Sequence, residues 1–214
     1  MHKLATLLLT VFILCFTTTS GFSYPITFVH SGIGSGNLND TYFTNRNFTI
    51  TAYGDTDDVM RRDRFNALWT GHSAAFIDID QLGIFQLQIP TQTFVNYSVQ
   101  VFGFSDSRNI SDLFDGPYDL SAATWDMQTS IGPFSGVGFQ GVSAHVFYWD
   151  GIPTDGGSLF FTPDTSYATF QAIVQTSPVP TPEPSTFMLL FVGLFGLVAI
   201  GCMKFGRARI GASA

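Results

Sequence analysis

Three groups of residues in this 214-residue chain are of types that could do chemistry. The first is Asp55-Thr56-Asp57-Asp58, four oxygen-bearing side chains in succession. Ca²⁺ is a hard cation that gathers about six to eight oxygens, which makes Asp55, Asp57 and Asp58 candidate ligands. The run lacks the central glycine and distal glutamate of an EF-hand. A solvated aspartate turn, paired with Arg61, Arg62 and Arg64, is the plainer reading. Asp78 and Asp80 pose the same choice, because like charges on one strand face repel unless a cation or solvent relieves them. The second group is aromatic: Trp69, Trp125, Tyr148 and Trp149. Flat apolar faces with polar edges can stack on sugars, and they can equally pack a core. Tyr148 and Trp149 alternate along a strand, so at most one of them faces outward. The third group is His30, His72 and His145, which lie far apart without the HxxxH spacing of a zinc site, so structural or exposed roles are expected.

Catalysis has little to build on. There is no GxSxG elbow to anchor a serine nucleophile. A glycosidase would need both of its carboxylates to be aspartate. Gly32-x-Gly34-x-Gly36 resembles part of a nucleotide loop but has no following helix or acidic ribose ligand, and it reads as a turn. The expectation is a chain with no catalytic residues and no cofactor.

Charge and cysteine usage narrow the partners. The segment 24–176 holds fifteen aspartates and five arginines, a formal −10, with no lysine, glutamate or cysteine. Nucleic acid should be repelled by such a domain. Cys15 and Cys202 both fall in apolar terminal stretches, so disulfide staples and thiolate metal sites are excluded from the central segment.

The elements that must position these residues are strands. Aspartate replaces the helix formers glutamate and lysine, and Phe, Thr, Val, Ile and Gly abound. Period-two alternation places Ile26 with Phe28; Phe48 with Ile50 and Ala52; Ala75 with Ile77 and Ile79; and Phe85 with Leu87 and Ile89. A strand is also predicted over Val95–Val101, and others over Val142–Trp149, Ser158–Thr162 and Tyr167–Val174. Turn signals separate them, including Asp115-Gly116-Pro117, Gly132-Pro133 and Asp155-Gly156-Gly157. Only Asp57–Leu68 hints at helix. The fold class predicted is all-β: a single β-sandwich or jelly-roll-like ectodomain over 24–176. Sequons beginning at Asn39, Asn47, Asn96 and Asn109 fit an Asn/Thr/Ser-rich β surface.

The ends carry targeting signals. Basic His2 and Lys3, the apolar Leu4–Phe16 and a small, polar stretch to Ser23 form a secretory signal peptide over 1–23. A proline-rich linker, 177–186, has alternate prolines that favour an extended, exposed backbone. The uncharged run 187–203 is the length of a short transmembrane helix. Lys204, Arg207 and Arg209 in the tail 204–214 act as stop-transfer bases and keep that tail cytoplasmic.

Pro182-Glu183-Pro184-Ser185, a short apolar span and a basic terminus, joined to an N-terminal signal peptide, resemble the PEP-CTERM proteins. The resemblance covers about the last 35 residues plus the signal, and the ordered set of features is more specific than Pro-Glu-Pro alone. It implies an exopolysaccharide-producing Gram-negative bacterium. It also implies an exosortase, a membrane-embedded cysteine transpeptidase-like enzyme, that processes the chain near Pro182, Glu183, Pro184 and Ser185. Such a chain is exported through the inner membrane, held for a time by one membrane helix, and delivered to the cell surface or extracellular matrix. The ectodomain is similar to secreted β-domains of that class, a likeness that implies no activity. The function expected is a non-catalytic surface or matrix protein associated with exopolysaccharide and biofilm. The alternatives are a carbohydrate-binding module, Ca²⁺-dependent or not, and a secreted hydrolase.

Overall fold

A computed structural model describes residues 24–140 and 151–175. The signal peptide, linker, apolar run and basic tail lie outside the described residues, as do Val142–Trp149 and, within it, His145, Tyr148 and Trp149.

Among the described residues thirteen antiparallel strands form one sheet. In chain order they are β1 (Pro25–Leu38), β2 (Thr41–Asp55), β3 (Met60–Arg62), β4 (Ala67–Gly71), β5 (Ala74–Ile79), β6 (Gly83–Gln86), β7 (Thr91–Asn96), β8 (Val101–Asp106), β9 (Ser111–Tyr118), β10 (Ile131–Gln140), β11 (Ile152–Thr154), β12 (Gly157–Phe161) and β13 (Asp164–Val174). The hydrogen-bonded path runs β3-β4-β7-β8-β9-β10-β13-β1-β2-β5-β6, with β12 joined to β1 and β11 to β12. The β1–β2 hairpin is the longest pairing. Its two-residue turn, Asn39-Asp40, has φ of 46° and 66°, the double left-handed geometry whose twist suits a tight hairpin. The last strand returns beside the first: Ile26 pairs with Val174, and the Gln175 N–H donates to the Pro25 carbonyl at 2.9 Å.

The all-β class holds, but in place of a two-sheet sandwich the described strands form one continuous antiparallel sheet. β1 and β8 stand four steps apart along the path, yet His30 of β1 lies 5.7 Å from Phe104 of β8, ring to ring. Side chains from the two halves therefore share one core. Phe28, Phe102, Phe104, Phe114 and Phe170 are fully or almost fully buried in it. Phe102 stacks on Phe170 with centroids 4.3 Å apart, and Trp125 packs edge-on to both. The alternation read in β1, β2 and β5 holds: Ile26, Phe28, Phe48, Ile50, Ala52, Ala75, Ile77 and Ile79 all face inward.

Four local expectations are corrected. Gly32–Gly36 is not a turn but part of β1. A Cβ on Gly36 would collide with the Phe160 carbonyl oxygen, so the glycine serves close strand approach. Asp57–Leu68 is not a helix. It divides into 3₁₀ turns at Thr56–Asp58 and Asp63–Phe65, with β3 between them and the start of β4 after them. Val95–Val101 is not one strand, because the Asn96 carboxamide oxygen accepts the N–H groups of Ser98 (3.0 Å) and Val99 (3.3 Å) and turns the chain there. Gly116-Pro117 and Gly132-Pro133 sit inside β9 and β10, and the β10–β13 ladder is irregular between Ile131 and Phe134.

Candidate functional site

β7 faces two ways. Thr91, Thr93 and Val95 point into the core, so Gln92, Phe94 and Asn96 point outward by strand alternation. The register extends that outer face across neighbouring strands. One row is Trp69, Phe94, Gly103 and Asp115; the next is Gly71, Gln92, Ser105 and Asp112. Asp112 and Asp115 are three apart in sequence, yet they share this face. The β8–β9 ladder skips a residue between the Phe104–Phe114 and Ser105–Asp112 pairs. Phe94 lies flat over Gly103, where any Cβ would collide with its ring.

Arg62 reaches over this face from β3. Its guanidinium carbon sits 4.3 Å from the centre of the Trp69 ring, a cation–π contact. Its Nη2 donates to Gln92 Oε1 at 3.5 Å, and Gln92 Nε2 donates to Ser105 Oγ at 2.9 Å. Arg62, Trp69, Gln92, Phe94, Asn96 and Asp112 line a cleft of about 320 Å³. That is within the range of small-ligand sites, about 300–1,000 Å³.

The polar groups of the cleft are incompletely matched. Arg61 pairs with Asp63 and Arg108 with Asp106, each at 2.8 Å, while Arg62 has no carboxylate partner among the described residues. Arg62 Nη1 and Trp69 Nε1 are shielded from water and meet no acceptor, and Asp115 Oδ1 is likewise buried without a donor. Burial pushes the Asp112 carboxyl up to about 6. Asp115 rises to about 7, through burial first and the neighbouring Asp112 charge second. The face therefore offers a stacked cation, amides that donate and accept, aromatic edges and a carboxyl that titrates near neutrality. These groups can hold a small polar ligand by hydrogen bonds and ring contact.

The inner side of the same strand carries a second polar cluster. Thr93 Oγ1 is hydrogen-bonded to both His30 Nε2 (3.2 Å) and His72 Nε2 (3.1 Å), and Thr91 Oγ1 to His72 Nδ1 (2.9 Å). Phe104, Phe114 and Phe170 surround His30, and His72 stacks on Phe104. Burial holds both imidazoles down to about 3, with His30 lowering His72 further. Neutral rings enclosed by phenylalanine do structural work, as expected of the histidines.

The other residues singled out in the sequence are placed as follows. Asp55 Oδ1 accepts the Asp57 N–H at 2.8 Å and caps the first 3₁₀ turn, while Asp57 and Asp58 are exposed. Among the described residues no group of three or more metal-ligating side chains comes together. Asp78 and Asp80 share an exposed face beside an open surface hollow with Asn47 and Thr49. Trp125 is core and donates from Nε1 to the Thr129 carbonyl at 2.9 Å. Of the tryptophans described, Trp69 alone reaches the outer face. Arg62, Gln92, Asp112 and Asp115 were not singled out as site residues. The alternation of Gln92, Phe94 and Asn96 with Thr91, Thr93 and Val95 was the one signal that could have found this face.

No curated protein and no solved structure matches the chain. A family model does match at the C-terminal end: the PEP-CTERM protein-sorting motif, over residues 180–204. The match takes in Pro182, Glu183, Pro184, Ser185, the whole apolar run and Lys204, while Arg207 and Arg209 lie just beyond it. The chain thus carries a β-sheet domain over the described residues and, after it, a PEP-CTERM protein-sorting motif.

Proposed function

We propose that this protein is a non-catalytic surface or matrix component, processed by an exosortase near Pro182–Ser185 and retained beside extracellular polysaccharide. The sorting motif at 180–204 carries the reading, since it marks a chain for exosortase and the cell surface. In this reading the apolar run 187–203 is a temporary membrane hold and Lys204, Arg207 and Arg209 stop transfer. The signal peptide at 1–23 starts export. Removing residues 182–214 should release the protein from the surface or destabilise it. Fractionation that finds the truncated chain as firmly retained as the full one would overturn the proposal.

The cleft favours a second, compatible reading, in which the 24–175 domain binds carbohydrate. Trp69 and Phe94 supply ring surface, while Asn96 and Asp112 supply hydroxyl partners. A glycan array probed with and without Ca²⁺ tests it, and a blank array removes it. A hydrolase is the third reading, for which activity against polysaccharides and esters would have to be found.

A further inference from the structure

We infer that the outer-face cleft takes a single carboxylated sugar, a uronic acid unit in an otherwise uncharged glycan, with Arg62 receiving the carboxylate. The inference deepens the carbohydrate reading and rests on it, but it is independent of sorting.

Three observations lead there. Among the described residues Arg62 is the one cation lining the cleft, and its guanidinium stacks on Trp69, holds one long contact to Gln92 and meets no carboxylate. A guanidinium carries five donors in a fork that fits a carboxylate two-at-a-time, so most of its capacity is unspent. Nη1 meets no acceptor in the free protein. Arg62 ends β3, the terminal strand of the sheet path, and its side chain lines the cleft. Second, three of the domain's five arginines, Arg61, Arg62 and Arg64, cluster at this edge. Arg61 is spent on Asp63, which leaves Arg62 as the arginine that lines the cleft. Third, the groups around the fork suit a sugar ring rather than a bare anion. Phe94 offers apolar surface, and Asn96, whose side-chain oxygen is taken by the Ser98 and Val99 N–H groups, offers its amide nitrogen on the cleft wall.

The negative domain sets the charge of the ligand. Fifteen aspartates repel a continuous polyanion at long range, so a densely charged polyuronate is disfavoured before it reaches Arg62. A glycan with one isolated uronate escapes most of that repulsion and keeps the local ion pair. Asp112, at the far side of the cleft, accepts from ring hydroxyls when ionised.

The experiment is calorimetric titration of the full chain in detergent with a short neutral oligosaccharide bearing one glucuronate. Parallel titrations use its methyl ester, the same oligosaccharide with glucose in place of glucuronate, and sodium acetate. The expected result is binding of the uronate form, weakened roughly ten- to hundredfold by esterification or by Arg62→Gln, with Arg62→Lys between them. Esterification alters only the ligand, so this comparison survives if a variant fails to fold. Equal binding of the uronate, ester and glucose forms overturns the inference while leaving the carbohydrate reading standing. Acetate binding as tightly as the sugar also overturns it, leaving an anion hole. No binding of any sugar overturns the inference and the carbohydrate reading together, and leaves the sorting proposal untouched.

Discussion

The two faces of β7 carry polar groups in different states. Inward, Thr91 and Thr93 bond His30 and His72 among phenylalanine rings, the imidazoles stay neutral, and His30 Nδ1 alone of their ring nitrogens is left without a partner. Outward, Gln92 and Phe94 border a cleft where a guanidinium, an indole N–H and a carboxylate oxygen on the same sheet face go unmatched. A polar group that is both buried and bonded fixes the fold. One held near an opening with donors to spare is free to meet something else. Adjacent residues of one strand thus divide structure from recognition.

The largest way to break this contrast is through the inner face. Phe102→Ala removes the ring stacked between Phe170 and Phe134 and should cost about 3–5 kcal/mol, read from denaturant unfolding. Trp69 and Arg62 lie on the other side of the sheet, so any ligand bound in the cleft should still bind to the fraction that remains folded.

Acid titration comes next, because the two faces push stability in opposite directions. His30 and His72 titrate at about 3 folded and about 6.5 unfolded, so unfolding takes up protons between those values and stability falls as pH drops through them. Asp112 and Asp115 titrate at about 6 and 7 folded, against 3.8 unfolded. Their contribution is complete below 3.8 and is lost as pH rises toward 7. The two slopes therefore oppose one another across mildly acidic pH. The wild-type melting temperature should change less there than that of variants altered on one face alone. Asp112→Asn with Asp115→Asn should uncover acid lability, and His30→Leu should uncover a decline with rising pH. A steep wild-type profile between pH 4 and 6 would show that one face dominates.

Smaller effects sharpen the outer face. Gly103→Ala forces Phe94 off its seat and should cost about 1–3 kcal/mol while reshaping the cleft, visible as lost stability together with changed tryptophan emission. Arg61→Ala removes the exposed pair with Asp63, a long contact to Asn66 and a distant approach to the Tyr97 ring, and should change stability by no more than about 1 kcal/mol. Any ligand binding that it alters would assign Arg61 to the site.

Sequence alternation revealed the strands with one covered face, such as β1, β2 and β5, because period two is visible only where one face is wet. β8 escaped it: Val101 to Asp106 is buried throughout, and the string reads as no pattern. The pairing of Asp112 with Asp115 escaped for another reason. It depends on a residue skipped in the ladder, which no local spacing announces. In the sequence Arg62 reads as one of three arginines that pair with an aspartate turn. Its stacking over Trp69 exists only because β3 and β4 form a hairpin. The sorting motif needed no fold to be read, since its elements are ordered along the chain itself.

The hydrogen bond from Gln175 to Pro25 gives the domain a mechanical character. The backbone enters and leaves at neighbouring points, so the body hangs from one hinge-like corner. Tension applied between residues 25 and 175 would open the β1–β13 ladder one rung at a time. Tension between residue 175 and a load held at the cleft would instead run along β13, which is bonded to β10 on one side and β1 on the other. The same domain would yield easily to a tug at its ends and resist one transmitted through a grip on its flank.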